Sequence, residues 1–146
     1  MKIAIASDHG GYELKEIIKK YLGENGYEIK DFGTDSAESV DYPDYAAPAA
    51  RAVAAGECDR GIIICGSGQG MTMVANKIAG VRAALCNDLF SAKMSRRHND
   101  GNVLTMGARI IGIDLAIDIV DTWLKTEFDG GRHQKRVDKI MKLDKK

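Results

Sequence analysis

A cysteine followed at once by a glycine-rich turn is the feature of this sequence that most suggests chemistry. The apolar residues 61–65 predict a buried strand that ends on the thiol of Cys65, and residues 71–78 predict a helix. Between them lies Gly66-Ser67-Gly68-Gln69-Gly70, whose backbone N–H groups stand at the predicted helix N-terminus. Such groups bind anions and stabilise a thiolate. A base and an oxyanion cradle in one turn suit proton abstraction next to a carbonyl group.

The glycine-rich turn differs from the common nucleotide-binding loops. It lacks the GxxxxGK[ST] spacing of a P-loop, and Met71 stands where the third glycine of GxGxxG belongs. A dinucleotide-binding loop usually opens the first βα unit, whereas this turn follows the third predicted strand. The simplest alternative is a tight turn that needs glycine for backbone clearance, with Cys65 as a small buried hydrophobic residue. Ser67 is either a proton relay or an ordinary turn residue.

Other candidate residues are ambiguous when each is taken alone. Asp8 follows the first predicted strand, where an aspartate is often only a helix N-cap. His98 lies at the C-terminus of a predicted helix, where the helix dipole stabilises a protonated histidine. Arg132 and Arg136 share one helical face, either as a solvated basic surface or as a clamp for phosphate or carboxylate. Arg109 is a candidate third member of that clamp.

Composition indicates an ordinary globular enzyme or binding domain. The 146 residues, expected to form one domain over 1–146, carry 21 basic and 21 acidic side chains, so neither nucleic acid nor a membrane surface is an expected partner. The three cysteines have no CxxC spacing, which argues against a disulfide framework and a zinc site. The N-terminal apolar stretch is too short for a signal peptide, and we therefore expect a cytoplasmic protein.

Strand and helix patterns alternate along the whole chain. The predicted strands are residues 2–7, 27–32, 61–65, 81–86 and 103–106, and the predicted helices are 12–22, 45–55, 71–78, 90–97, 113–125 and 132–143. This order predicts an α/β fold, a doubly wound, five-stranded parallel sheet of Rossmann-like type with helices on both faces.

Ligands bind such sheets beyond the carboxyl ends of the strands. We expect three loops to converge there: residues 8–11, residues 65–70 and the stretch that reaches His98 and Asn99. The last helix has no following strand, so its apolar side predicts a homodimer. Residues from about 141 to 146 are expected to fray.

The ordered motifs closely resemble the ribose-5-phosphate isomerase B family, whose wider group contains the galactose-6-phosphate isomerase subunits. The motifs that carry the resemblance are Ser7-Asp8-His9-Gly10-Gly11, Asp41-Tyr42-Pro43, Cys65-Gly66-Ser67-Gly68-Gln69-Gly70, Ala75-Asn76-Lys77, Ser95-Arg96-Arg97-His98-Asn99 and Gly131-Arg132-His133-Gln134-Lys135-Arg136. They cover nearly the whole chain. The resemblance implies reversible isomerisation of ribose 5-phosphate and ribulose 5-phosphate, without a metal or another cofactor.

The resemblance also implies roles for individual residues. Cys65 is the implied base that moves a proton between C2 and C1, and His98 the residue that opens the furanose ring with the help of Asp8. The implied cradle for the cis-enediolate is the loop Gly66, Ser67, Gly68, Gln69 and Gly70. The remaining implied contacts are with phosphate at His9, Arg109, Arg132 and Arg136, and with sugar at Tyr42 and Asn99. In this family the site lies between two subunits of a dimer, and for this chain an assembly larger than the dimer is left open.

Two departures bear on the substrate and the base. Position 67 is serine, where threonine is frequent in the family, and some members use a carboxylate as the base in place of this cysteine. Three alternative functions are an isomerase of allose 6-phosphate or galactose 6-phosphate, a non-catalytic nucleotide- or phosphate-binding module, and an enzyme of cysteine-based acyl or phosphoryl transfer.

Overall fold

The alternating patterns form one parallel sheet. The computed structural model describes residues 1–144 and contains five strands: β1 (Lys2–Ser7), β2 (Glu28–Asp31), β3 (Arg60–Cys65), β4 (Ala83–Leu85) and β5 (Val103–Gly107). They pair in the order β2-β1-β3-β5-β4, and every pair is parallel. The predicted doubly wound α/β fold is confirmed.

Residues 1–144 contain six α-helices, of which the first five pack on the sheet. They are α1 (Tyr12–Glu24), α2 (Pro43–Ala54), α3 (Gln69–Ala75), α4 (Leu89–Arg97), α5 (Ile113–Lys125) and α6 (Arg132–Lys142). Residues of α1, α4 and α5 build the hydrophobic core on one face, around Trp123, and residues of α2 and α3 build the core on the other. Because both faces are covered, the central strands β3 and β5 are buried almost along their whole length.

Element boundaries differ from the predictions mainly around β4. Residues 81–86 were expected to form a strand, but only Ala83–Leu85 do so. Side-chain amides replace the strand hydrogen bonds before it, because Asn102 Oδ1 accepts from Arg82 N–H (2.7 Å) and Asn76 Oδ1 accepts from Ala83 N–H (2.9 Å). Helix α2 begins at Pro43, two residues earlier than predicted, since proline suits the first turn of a helix.

The C-terminal segment corrects one expectation. Helix α6 runs to Lys142, and Asp144 Oδ2 accepts a hydrogen bond from Gly80 N–H (2.8 Å), so the expected frayed tail is wrong for residues 141–144. Lys145 and Lys146 lie outside the described residues. Val137 is buried within the chain, whereas Leu143 remains 70% exposed. None of the helices in the described part of the chain is long and apolar enough to span a membrane.

Neighbouring strands β1 and β3 send their connections to opposite faces of the sheet, which opens a crevice at their carboxyl ends. A single 3-10 turn, His9–Gly11, follows β1, and the glycine-rich loop follows β3. Asp8 N–H donates to Ile64 O (3.3 Å) near the end of β3, and a Cβ atom on Gly10 would lie 3.2 Å from Gly66 N, so the two loops are packed together. This crevice is where the fold positions the chemistry-bearing residues.

Candidate active site

The thiol of Cys65 lies at the floor of the crevice and contacts the glycine-rich loop. Cys65 is the last residue of β3 and is only 5% exposed. Gly68 N–H donates to its Sγ at 3.1 Å, a direct interaction between a loop amide and the sulfur. Gly68 has a left-handed backbone (φ 80°), which glycine adopts at low cost. The loop therefore turns back over the thiol, as the sequence predicts.

The loop is fixed to the end of β5. Ala108 N–H donates to Cys65 O (2.8 Å), and Arg109 N–H donates to Gly66 O (3.0 Å). The two segments approach so closely that a Cβ atom on Gly107 would lie 2.6 Å from Ser67 O. The cradle is thus held by backbone hydrogen bonds and close packing, which favours a preorganised anion site.

The residues around Cys65 form an open cleft of about 540 Å³, within the size range of small-molecule sites. Its lining combines the thiol, the loop and five residues from other segments: Asp8, Tyr42, Cys65, Gly66, Ser67, Gln69, Gly70, Met73, Arg109 and Ile110. The structure therefore brings together most of the site residues predicted for the first and third strand ends. We call this lining, together with Gly68 and His9, the cysteine half-site.

Several polar residues of the cysteine half-site are positioned by contacts with the backbone. Asp8 caps the 3-10 turn, with its Oδ1 accepting from Gly11 N–H (3.1 Å), so it is both an N-cap and a cleft residue. His9 Nδ1 accepts from Val40 N–H (3.1 Å), beside the cleft. The guanidinium of Arg109 lies over Gly66, where an added Cβ would come within 3.4 Å of it. Arg109 therefore belongs with Cys65 rather than with Arg132 and Arg136.

The expected convergence of His98 and Asn99 with these loops is wrong within one chain. Helix α4 connects two parallel strands, so it runs from the carboxyl edge of the sheet back to the amino edge, and His98 follows its last residue. Asn102 O accepts from Gly61 N–H (2.9 Å) at the start of β3, which fixes this segment to the amino edge. A strand of about six residues, about 20 Å, separates the two edges.

His98 belongs to a second cluster, on α6. Its ring stacks on the ring of His133, with centroids 4.3 Å apart and an interplanar angle of 11°. Burial, the neighbouring His98 and the arginines Arg132 and Arg136 together lower the pKa of His133 below its usual value. Both arginines are exposed. We call His98, Asn99, Arg132, His133 and Arg136 the histidine half-site.

Known proteins resemble this chain over almost its whole length. The family model described as Ribose/Galactose Isomerase matches residues 3–140. The chain belongs to this family. Ribose-5-phosphate isomerase B of Escherichia coli is 50% identical over 145 residues, 99% of this chain and 97% of that protein.

Further relatives of the ribose/galactose isomerase family match over most of their length. The structure of ribose-5-phosphate isomerase B from Clostridium thermocellum superposes with a TM-score of 0.98 at 59% identity, covering 99% of this chain and 98% of that one. A protein of Pectobacterium atrosepticum named D-erythrulose-4-phosphate isomerase is 43% identical, covering 96% of this chain and 93% of its own. The named activities within the family thus differ in the sugar.

Two residues behind the cleft escaped the sequence analysis. The Thr72 hydroxyl donates to Gly68 O (2.7 Å) and lies 2.5 Å from the hydroxyl of Thr105, which is fully buried on β5. A threonine in the middle of an apolar strand was the only signal available in the sequence. Gly107 was also missed, although it separates the apolar run of β5 from Arg109.

Proposed function

We propose that this protein catalyses the reversible isomerisation of D-ribose 5-phosphate and D-ribulose 5-phosphate, with Cys65 as the base. The observation that carries the proposal is the contact between the Cys65 sulfur and Gly68 N–H (3.1 Å) at the floor of an open cleft. Membership of the ribose/galactose isomerase family supports the reaction class, and the Escherichia coli and Clostridium thermocellum relatives support the five-carbon substrate.

The proton transfer follows from the contents of the cleft. The Cys65 thiolate removes the proton from C2 of the open-chain aldose, and negative charge develops on the oxygen of C1. Amide groups of the loop from Gly66 to Gly70 are the groups that would stabilise this cis-enediolate, because the loop is already held in place by its hydrogen bonds to the end of β5. The proton then returns to C1 while Ser67 relays the hydroxyl proton from O2 to O1. The proton that leaves C2 returns to the same substrate molecule at C1, so the net reaction neither oxidises nor reduces the sugar and needs no cofactor.

Ring opening and phosphate binding need groups that one chain does not supply to this cleft. His98, the proposed ring-opening residue, and the proposed phosphate ligands Arg132 and Arg136 lie with the opposite edge of the sheet. A homodimer in which the histidine half-site of one subunit faces the cysteine half-site of the other would complete two sites by symmetry. The exposed side chains of Ile140 and Leu143 on and after α6 favour such an interface. Assembly beyond the dimer stays a prediction.

The phosphate has a physical purpose in this arrangement. His9 and Arg109, together with Arg132 and Arg136 of the second subunit, would hold a group that does not react. Binding energy at that remote group positions C1 and C2 against Cys65, with Asp8, Tyr42 and Asn99 contacting the sugar hydroxyls. Substrates without the phosphate should therefore lose turnover and not only affinity.

The second candidate is isomerisation of a related sugar phosphate. The Pectobacterium relative is named for a four-carbon substrate, and the family description includes galactose, so sugar length varies within the family. The cleft is open on one side within a single chain, and its final length depends on the partner subunit. Candidate six-carbon substrates are allose 6-phosphate and galactose 6-phosphate.

The test is ribulose 5-phosphate formation in the presence of EDTA, with three forms of the protein. We expect turnover by the native chain and a loss of about 10²-fold or more in Cys65→Ala, the scale of a lost general base. Cys58→Ala is the matched control, because that thiol is buried at the amino edge of β3. Native turnover with an equally active Cys65→Ala protein would overturn the assigned base. Turnover only with another sugar of a phosphate panel would replace the substrate.

A further inference from the structure

Three potential metal ligands lie together outside the cysteine half-site. Among residues 1–144, one nitrogen of His98, one nitrogen of His133 and one carboxylate oxygen of Asp129 all lie within 4.8 Å of one another. The proposed isomerase chemistry uses His98 but neither Asp129 nor His133. Two imidazoles and a carboxylate on three different segments form an arrangement that the isomerisation itself does not require.

The backbone holds the three segments in place. Asp129, in the loop between α5 and α6, donates its N–H to Arg97 O (3.0 Å) at the end of α4, directly before His98. His133 lies in the first turn of α6, where its N–H donates to Gly130 O (3.0 Å), and its ring stacks on His98. The carboxylate of Asp129 is oriented by Arg97, whose Nε lies 3.1 Å from both oxygens.

We propose that His98, Asp129 and His133 bind a divalent transition metal, with Zn²⁺ the best match. Imidazole nitrogen and carboxylate oxygen are common zinc ligands, and three protein ligands plus water complete a four-coordinate site. Ligand atoms about 2.1 Å from zinc in a tetrahedral site are about 3.4 Å apart. The ligand atoms must approach one another by up to about 1.4 Å. The two imidazole rings must also rotate out of their near-parallel stack, so that a ring nitrogen of each points at the ion.

Nearby charges set the expected strength of binding. Arg97 leaves lone pairs free on the Asp129 carboxylate, so the same group can bridge the guanidinium and a metal ion, as ligating carboxylates often do. Arg132 and Arg136 on α6 place two further positive charges near His133, and these oppose a cation. We therefore expect a dissociation constant in the micromolar range, weaker than that of a structural zinc site.

Metal binding at this cluster inhibits the isomerase, a consequence that rests on the proposed function. An imidazole that coordinates zinc cannot exchange a proton with the furanose ring oxygen. Zinc would therefore remove His98 from catalysis without touching Cys65. The metal site itself stands on the three side chains and does not depend on the identity of the sugar.

The first test is titration calorimetry with ZnCl₂ in a buffer free of phosphate and chelator. The reference protein is Cys65→Ser, which removes the thiol of the cleft as a competing ligand. We expect one zinc ion per chain, and binding at least tenfold weaker after adding either His133→Gln or Asp129→Asn. Asp138→Asn is the matched control, because this exposed α6 carboxylate is held by Gln134 (2.8 Å) and is not among the cluster's ligands. Equal affinity in all four proteins would overturn the proposal.

A second measurement guards against misfolded variants. Co²⁺ bound to the reference protein should give visible absorption bands of a four-coordinate site, and these should disappear in His133→Gln at an unchanged unfolding temperature. Unchanged bands in His133→Gln would overturn the assigned ligands.

Inhibition is measured separately on chains that keep Cys65. Each protein is compared with its own zinc-free rate, and we expect EDTA to restore the native rate and His133→Gln to need at least tenfold more zinc for half inhibition. Zinc-free chains without turnover would count against the proposed function while leaving the calorimetric result valid. Turnover without zinc binding would overturn the metal site alone.

Discussion

The hydroxyl groups of Thr105 and Thr72 lie 2.5 Å apart beneath the glycine-rich loop. Since the Thr72 hydroxyl donates to Gly68 O (2.7 Å), its oxygen accepts the proton of Thr105. The same Gly68 donates its N–H to Cys65 Sγ. A buried pair of hydroxyls thus connects the central strand β5 to the residue that contacts the thiol.

Loss of the Thr105 hydroxyl should displace the glycine-rich loop without leaving a cavity in the core. Thr105→Val keeps the shape of the side chain but removes the donor to Thr72. We expect kcat to fall about tenfold with a smaller change in KM, because small errors in positioning affect the transition state most. The measurement is steady-state kinetics with ribose 5-phosphate.

Thr126→Val is the control for that variant, since Thr126 Oγ1 bonds only its own helix at Thr122 O (2.6 Å). Equal kcat values in the two variants would mean that the hydroxyl pair has no positioning role.

The close approach of Gly107 to the loop gives a second prediction. A Cβ atom there would lie 2.6 Å from Ser67 O, so Gly107→Ala must push the loop away from β5. We expect a fall of about tenfold or more in kcat/KM, as the amides leave the position of the oxyanion. Gly112→Ala is the control, because a Cβ there meets nothing within 4 Å. Full activity in Gly107→Ala would show that the cradle tolerates displacement.

A buried ion pair far from the cleft gives a prediction about stability. The ammonium of Lys15 is fully buried and lies 2.8 Å from Asp31 Oδ2, which also contacts Lys19 at 2.9 Å. Burial acts to raise the pKa of Asp31, but hydrogen bonds from the two lysines and from Gly33 N–H lower it overall. Asp31→Asn should cost about 2–3 kcal/mol of unfolding free energy at pH 7, because it leaves the buried ammonium of Lys15 with only its longer contact to Glu16 (3.4 Å).

The pH dependence of this variant has a defined sign. A carboxyl group with a depressed folded-state pKa stabilises the fold above its unfolded pKa, and this contribution disappears as the pH falls through the folded-state pKa. The gap between native and Asp31→Asn stability, measured by urea unfolding, should therefore shrink below about pH 4. Glu57→Gln, which breaks the exposed pair with Lys30 (3.1 Å), should cost less than about 1 kcal/mol. A gap that persists or grows in acid would contradict the role given to the Asp31 charge.

The sequence predicted the fold and the cysteine half-site because both depend on local patterns. Alternating apolar periodicities determine a parallel sheet, and a cysteine before three glycines marks the end of a buried strand. The sequence could not predict the contact between Thr72 and Thr105. This contact joins a helix to a strand 33 residues later, and it depends on β5 lying next to β3 in the sheet. Side chains that meet only through tertiary packing leave no periodic signal.

The misplacement of His98 has a different cause. Its residue type and the motif around it suggested the same site as Cys65, but the direction of α4 between two parallel strands carries it to the other edge. Topology alone, applied to the predicted elements, would have found this. The apolar side of the last helix was the first reason to expect a dimer. Because His98 lies far from Cys65 within one chain, the proposed chemistry now requires a dimer as well.

Complementation between two inactive chains tests the shared site most directly. Cys65→Ala and His98→Asn chains, given different affinity tags and coexpressed, are purified as the heterodimer. If the site joins Cys65 of one subunit to His98 of the other, one of the two sites is intact, and the heterodimer recovers about half the native rate per dimer. Each mutant homodimer stays inactive. If both residues act within the same chain, neither site of the heterodimer is intact, and a heterodimer as inactive as its parents would contradict the account.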